Sequence, residues 1–245
     1  MTTLIKLEIA RALRNKMFLF FSVIYPSALY LLIAGRADHT PMPGTTLDMG
    51  LYFMVSMASF GAMTAVLLGN SERIAKERAN GWVRQLRLTA LPGRGYVAAK
   101  MGAAAAISLP TIVLVMIVAA VVNGVRLEAW QWLAVLACTW LGSFAFAALG
   151  VAIGYLANAD TVRPISMLVY FGLSFLGGLW MPLTVLPKWA QDIAEWVPSN
   201  AYAALGRAVE AGSAPHVKDI AILLGYLVVF AGAAAWLYRK DTRKA

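Results

Sequence analysis

MGAAAAISLPTIVLVMIVAAVVN, from Met101 to Asn123, runs for 23 residues without an Asp, Glu, Lys, Arg or His. A helix of that length rises about 35 Å, enough to cross a bilayer core of about 30 Å. In lipid every backbone N–H and C=O must be satisfied within the segment, so the run reads as a membrane helix. Five more charge-free runs flank it: Met17 to Ala34, Met49 to Asn70, Ala129 to Asn158, Pro164 to Pro182 and Ile220 to Tyr238. No run alternates with period two, which disfavours a β-barrel. Pro26, Gly61, Pro110, Gly142 and Gly172 inside them suit membrane helices better than soluble ones.

The whole composition agrees. Of 245 residues, 60% are apolar and 13% charged, with a mean hydropathy of +0.69. Average soluble domains hold about 45–50% apolar and about 25% charged residues. Such a chain is neither disordered nor an ordinary soluble domain. Cys138 is the only cysteine, which excludes an internal disulfide and a multi-cysteine metal site. The basic stretch before Met17 could open a signal peptide, but the apolar run is long and the preceding segment is itself helically patterned, so a retained span is expected.

The net charge of +9 is unevenly placed. The N-terminal segment, the second and fourth connections and the C-terminus hold 16 of the 21 Lys and Arg; the other side holds Arg36, Arg126, Lys188, Arg207 and Lys218. By the positive-inside rule both termini are cytoplasmic. The charge marks a membrane face, and nucleic acid is not needed to explain it.

Between the runs lie three informative segments. Thr2 to Lys16 reads as a basic amphipathic helix in the interface plane, with Ile5, Ile9, Ala12 and Leu13 on one face. Ser71 to Lys100 is the longest cytoplasmic piece. Glu72 with Lys76, and Arg73 with Glu77, are spaced i, i+4 and support a helix. Gly81 interrupts it, Trp82, Val83 and Leu86 form a short apolar stripe beside Arg84 and Arg87, and Pro92-Gly93 is a turn. This is either a solvated loop or a docking surface for a partner. Leu183 to Pro215 is too polar to span and too apolar for a free loop. With Trp189, Trp196 and Tyr202, it reads as two short helices dipping into or lying along the outer leaflet.

Several chemistries are missing. There is no H-E-x-x-H, G-x-S-x-G or G-x-x-x-x-G-K-[ST]. His39 and His216 fall in separate connections, too few for a metal site. The six runs carry no ionisable group, which disfavours a proton- or sodium-coupled transporter. Energy for transport is therefore expected to enter through the cytoplasmic surface. Phe53 and Phe60 in the second run, with Phe171, Phe175 and Trp180 in the fifth, are candidates to line the path of an amphipathic molecule, or are ordinary packing.

Glu77-Arg78-Ala79-Asn80-Gly81-Trp82-Val83-Arg84-Gln85-Leu86-Arg87-Leu88-Thr89 resembles the cytoplasmic motif of ABC-2 type transporter permeases, and Tyr96 to Lys100 matches the element that opens their third span. Gly177 to Pro182, Leu186-Pro187, Pro198 and Arg207 resemble the family's outer segment. One departure is Ala90-Leu91-Pro92, where the family has proline directly after threonine.

The resemblance implies an all-α membrane protein. It would have six transmembrane helices, an N-terminal interfacial helix and short re-entrant outer helices between spans 5 and 6. It also implies a dimer of permease subunits, a second copy or a paralogue, above two separate ABC ATPase subunits. ATP and Mg would be bound by those partners and no cofactor by this chain. Glu72, Arg73, Glu77, Arg78, Gly81, Trp82, Arg84, Leu86 and Arg87 would form the ATPase-coupling segment. The closest flavour is the small bacterial exporters of drugs and antibiotics, in the cytoplasmic membrane. A polysaccharide or glycolipid exporter of the same family, or an ATP-independent membrane enzyme or scaffold, are the alternatives.

Overall fold

The computed structural model describes residues 7–8, 10–12, 14–35, 47–82 and 93–243. Every element among them is helical. We label α1 (Lys16–Ala34), α2 (Met49–Ala79), α3 (Gly93–Val122), α4 (Ala129–Leu156), α5 (Val162–Leu176), α6 (Lys188–Ala194), α7 (Pro198–Glu210) and α8 (Val217–Arg243). Five of them, α1 to α4 and α8, contain stretches long and apolar enough to cross a membrane.

The sixth expected span is shorter than the sequence suggests. α5 has 15 residues, a rise of about 22 Å against the ~30 Å of a bilayer core. Gly177 caps it, and Gly178 turns the chain with φ +66°, a conformation L side chains rarely adopt. Pro182 follows a few residues on and opens a single 3₁₀ turn, Leu183–Val185. Hydropathy reads straight through Gly177-Gly178, because it registers polarity and ignores backbone dihedrals.

α2 occupies the centre. It is a single helix from Met49 to Ala79, with a π-helical turn at Thr64–Leu68. Its membrane half is buried on all sides, which explains an apolar sequence with no polar stripe. The π turn packs on Gly150 of α4, where an added Cβ would meet Leu67 O at 2.6 Å. Gly154, one turn on, lies against Ser71 and Ile74, so a small-xxx-small row lets the two backbones approach. α1 meets α2 where Pro26 lies against Gly61. Proline cannot donate to the carbonyl four residues back. Thr111 of α3 supplies the missing donor, its Oγ1 donating to Ser22 O at 2.8 Å. α8 packs chiefly on α4 and keeps its other faces exposed.

The segment expected along the outer leaflet divides. α6 leaves Trp189 and Ile193 exposed, and Trp196 just beyond it is exposed as well. α7 is instead inserted among α2, α4, α5 and α8, with Ala201, Tyr202, Ala203 and Val209 buried. Tyr202 donates to Thr139 O of α4 at 2.8 Å. The last carbonyls of α7 are capped from α4, where Gln131 Nε2 donates to Val209 O at 3.0 Å.

At the N-terminus the described residues between 7 and 14 are helical, and Asn15 caps α1 by accepting from Phe18 N at 3.1 Å. Ala12 is buried as the amphipathic reading expects, and Glu8 is buried one turn before it. Ile5, Ile9 and Leu13 lie outside the described residues.

Candidate functional site

A groove of about 560 Å³ opens between the N-terminal helix, α1, α2 and α5. Its deep wall is aromatic, and its mouth is charged.

An aromatic cluster at and behind the deep wall collects four of the five aromatic residues singled out from sequence, two of them lining the groove. Phe60 stands 6.5 Å from Phe171 and 5.1 Å, edge to face, from Trp180; Phe175 stacks on Trp180 at 5.7 Å. Phe60 and Phe171 line the groove itself. Phe53 does not join them. It is buried in a separate core against Tyr52, Met54 and Met57. Tyr170, which the sequence reading did not name, completes the wall: it lies 4.8 Å from Phe60, donates to Phe60 O at 3.1 Å and shares a 2.6 Å hydrogen bond with Thr64. The π turn of α2 begins at Thr64, beside this cluster.

The mouth is built by the last turns of α2. Gly69 to Ala79 is rich in Glu, Lys, Arg and Ala, good helix formers, so the helix continues beyond the apolar run. The expected pair Glu72–Lys76 is present at 3.7 Å. Glu72 also faces Arg163 of α5 at 3.8 Å. Arg73 pairs with Glu8 at 3.5 Å and lies over the Phe18 ring at 5.3 Å. Lys100, at the start of the apolar part of α3, is 1% exposed and bridges Glu8 at 2.8 Å and Glu77 at 2.5 Å. Three segments far apart in sequence are joined at that one ammonium.

Arg78 is equally engaged within the chain. It donates to Gly154 O at 3.0 Å and Ala157 O at 3.2 Å, where α4 ends, and pairs with Asp241 of α8 at 2.7 Å. An Arg fork suits such multiple recognition. Gly81, with φ +70°, ends the segment, and Arg11 lies over the Trp82 ring at 5.2 Å. Lys76, Ala79 and Asn80 stay exposed. Arg84, Leu86 and Arg87 lie outside the described residues.

Among these partners, Glu8, Lys100, Arg163 and Asp241 were not selected from sequence. The signal was present in outline: Glu8 and Asp241 are acids set among basic residues, and Lys100 abuts the third apolar run.

The opposite end of the bundle carries a second polar group. The runs are charge-free, yet α7 brings Arg207 and Glu210 among them. Arg207 Nη2 donates to Gly178 O at 2.6 Å and Ser56 Oγ at 3.2 Å, and its guanidinium lies 4.1 Å from the Tyr52 ring centre. Tyr52 donates to the same Gly178 carbonyl at 2.5 Å. The break after α5 is thus held by two donors. Glu210 is buried, and neither carboxylate oxygen has a hydrogen-bond partner among the described residues. No group of three metal-ligating side chains occurs among the described residues.

The comparisons with known proteins point the same way as this architecture. Residues 1–210 match the family model for the ABC-2 type transporter. Over 236 residues the chain is 31% identical to a curated Bacillus subtilis (strain 168) protein named "Putative transport permease YvfS", covering 96% of this chain and 95% of that one. With several membrane-length helices and matches over nearly its full length, the chain belongs to the ABC-2 type transporter family.

Proposed function

We propose that the chain is the permease subunit of an ATP-driven exporter in a bacterial cytoplasmic membrane. It would move an amphipathic or lipid-like molecule of the drug or antibiotic class outward. Both termini and the basic end of the bundle would face the cytoplasm, as the Lys and Arg distribution indicates. Two separate ATPase subunits would bind ATP and Mg, and a second permease copy or a paralogue would complete the complex.

One observation carries the reading: the groove wall and the coupling segment are parts of one helix. Phe60, in the wall, and Glu77, in the candidate coupling segment, both lie on α2, which is helical from Met49 to Ala79. The two residues are about 25 Å apart along its axis. A push on the basic end of α2 reaches the groove without an intervening hinge loop. Glu8–Lys100–Glu77 and Arg78–Asp241 would make the N-terminal helix, α3 and α8 move with it. Since Glu77, Arg78 and Lys76 are used within the chain, contact with the ATPase falls to what remains: Asn80, Trp82 and the Arg84, Leu86 and Arg87 stretch.

The test is purification from native membranes in mild detergent, with mass spectrometry of co-purifying chains. A stoichiometric P-loop ATPase is expected. It should be lost on Arg84→Glu combined with Arg87→Glu, with the unfolding midpoint of the permease unchanged. Recovery of this chain alone, under conditions that keep another ABC complex intact, overturns the reading.

A further inference from the structure

Resting on that permease reading, we infer that the groove selects an amphiphile with an anionic headgroup. The apolar part lies along Phe21, Phe60 and Phe171, and the headgroup is held at the mouth by Arg73, Lys76 and Arg163.

The argument begins with a count of charge. Among the described residues the mouth and its immediate support hold five cations, Arg11, Arg73, Lys76, Lys100 and Arg163, against three carboxylates, Glu8, Glu72 and Glu77. Lys100 pairs with Glu77 at 2.5 Å and with Glu8 at 2.8 Å, although neither Glu8 oxygen has a hydrogen-bond partner of good geometry among the described residues. What remains is underserved. Among the described residues Glu72 pairs with both Lys76 and Arg163, at 3.7 and 3.8 Å, well beyond the roughly 2.7–2.9 Å of a tight charge-assisted hydrogen bond. Arg73 reaches Glu8 only at 3.5 Å, and its Nη2 is buried without a hydrogen-bond partner among the described residues. A buried guanidinium N–H with no acceptor is costly.

An anionic headgroup at the mouth would pair with the exposed ends of Lys76 and Arg163 and with the accessible part of Arg73, rather than with its buried Nη2. A cationic one would meet the excess positive charge and find Glu72 already shared. Polarity is also segregated along the groove, with aromatic walls deep and charge at the mouth. That matches a molecule with an apolar body and a charged end. The volume of about 560 Å³ lies within the roughly 300–1,000 Å³ of small-molecule sites.

The purified complex in nanodiscs of zwitterionic phosphatidylcholine would be photolabelled with a diazirine-bearing dodecyl phosphate, and labelled peptides mapped by mass spectrometry. Label is expected on the segments carrying Phe21, Phe60 and Phe171. Unlabelled dodecyl phosphate should compete about tenfold better than dodecyltrimethylammonium, and inorganic phosphate should not compete. Lys76→Glu with Arg163→Glu should abolish that preference or invert it. Both side chains are more than half exposed, so the fold should survive; if the unfolding midpoint falls, Lys76→Gln with Arg163→Gln gives the same comparison without reversed charge.

Equal competition by the two amphiphiles, a cationic preference, or competition by phosphate alone overturns the inference. So does a preference that both variant pairs leave unchanged. The labelling needs no ATP. Selective labelling in a chain that recruits no ATPase would therefore defeat the exporter reading and leave the headgroup selectivity standing. Coupled export with a cationic preference would do the reverse.

Discussion

The two ends of the bundle solve the problem of buried charge in opposite ways. At the basic end charge meets charge: Lys100 sits between Glu8 and Glu77, and Arg78 reaches Asp241. Each pair joins elements distant in sequence. At the other end a buried cation is held by neutral groups. Arg207 is held by the Gly178 carbonyl, the Ser56 hydroxyl and the Tyr52 ring, while its Nε and, three residues on, both oxygens of Glu210 have no hydrogen-bond partner among the described residues. Desolvated ion pairs lose heavily when one member is removed. Dipole contacts lose less each. The basic end should therefore behave as one rigid unit, and the opposite end as the part where local rearrangement costs least.

The largest expected effect breaks the first half of that contrast. Lys100→Met would leave the buried Glu8 and the partly buried Glu77 without the ammonium that joins them. A destabilisation of about 3–5 kcal/mol is expected, read from unfolding in detergent micelles. Adding Glu8→Gln and Glu77→Gln should recover a large part of it. A loss that the triple variant does not recover would mean that Lys100 acts through its packing, and the ends would differ less than their charges suggest.

Sequence alone makes this half of the molecule legible in outline only. The apolar runs and the Lys and Arg asymmetry give the helices and their alternation, because length and charge are local properties. The pairing of Glu8 with Lys100 joins residues 92 positions apart, and no periodicity encodes it. Within α2 the i, i+4 rule found Glu72–Lys76 correctly, and for Arg73 it named Glu77, where the structure adds Glu8 from another helix. Phe53 and Phe60 share one apolar run, yet one enters the groove wall and the other a separate core. A helix buried on every side has no stripe to say which face is which. The opposite end was the harder to read. Arg207 and Glu210 mark α7 as too polar to lie among apolar helices, and only the three-dimensional partners of Arg207 explain its place there.

Arg207→Ala comes next in size. It removes the fork that holds the break after α5 and leaves Tyr52 as the remaining donor seen at Gly178 O. About 2–3 kcal/mol is expected for a buried hydrogen bond from a charged donor. Arg207→Lys should recover only part, since one nitrogen makes both bonds and an ammonium placed there would lose the planar stacking on the Tyr52 ring. A loss equal to that of Lys100→Met would erase the contrast between the two ends.

A smaller effect of opposite sign is expected from Glu210→Gln. The carboxylate is buried with two unpartnered oxygens, so a neutral isostere should stabilise the protein by about 1 kcal/mol. The same detergent unfolding series would measure it. A clear destabilisation would show that Glu210 is an anion balancing Arg207 through space, and the opposite end would then also rest on charge against charge.

The smallest effect isolates burial from sidedness. Lys218 and Glu195 also belong to the α6–α8 side of the bundle and pair at 2.9 Å, but both are more than half exposed. Hydrogen bonding to Lys218, then its charge, holds the Glu195 carboxyl below the usual carboxylate range. A carboxylate lowered on folding contributes stability above its unfolded pKa of about 4.3 and loses it as pH falls through the lower folded value. Water and salt screen such a pair. Lys218→Ala should therefore leave the unfolding midpoint at pH 7 within error of the parent, and the two proteins should converge further as pH is lowered past the carboxylate range. A drop comparable to that of Arg207→Ala would mean that location on this side of the bundle, rather than desolvation, sets the cost of losing a charge there.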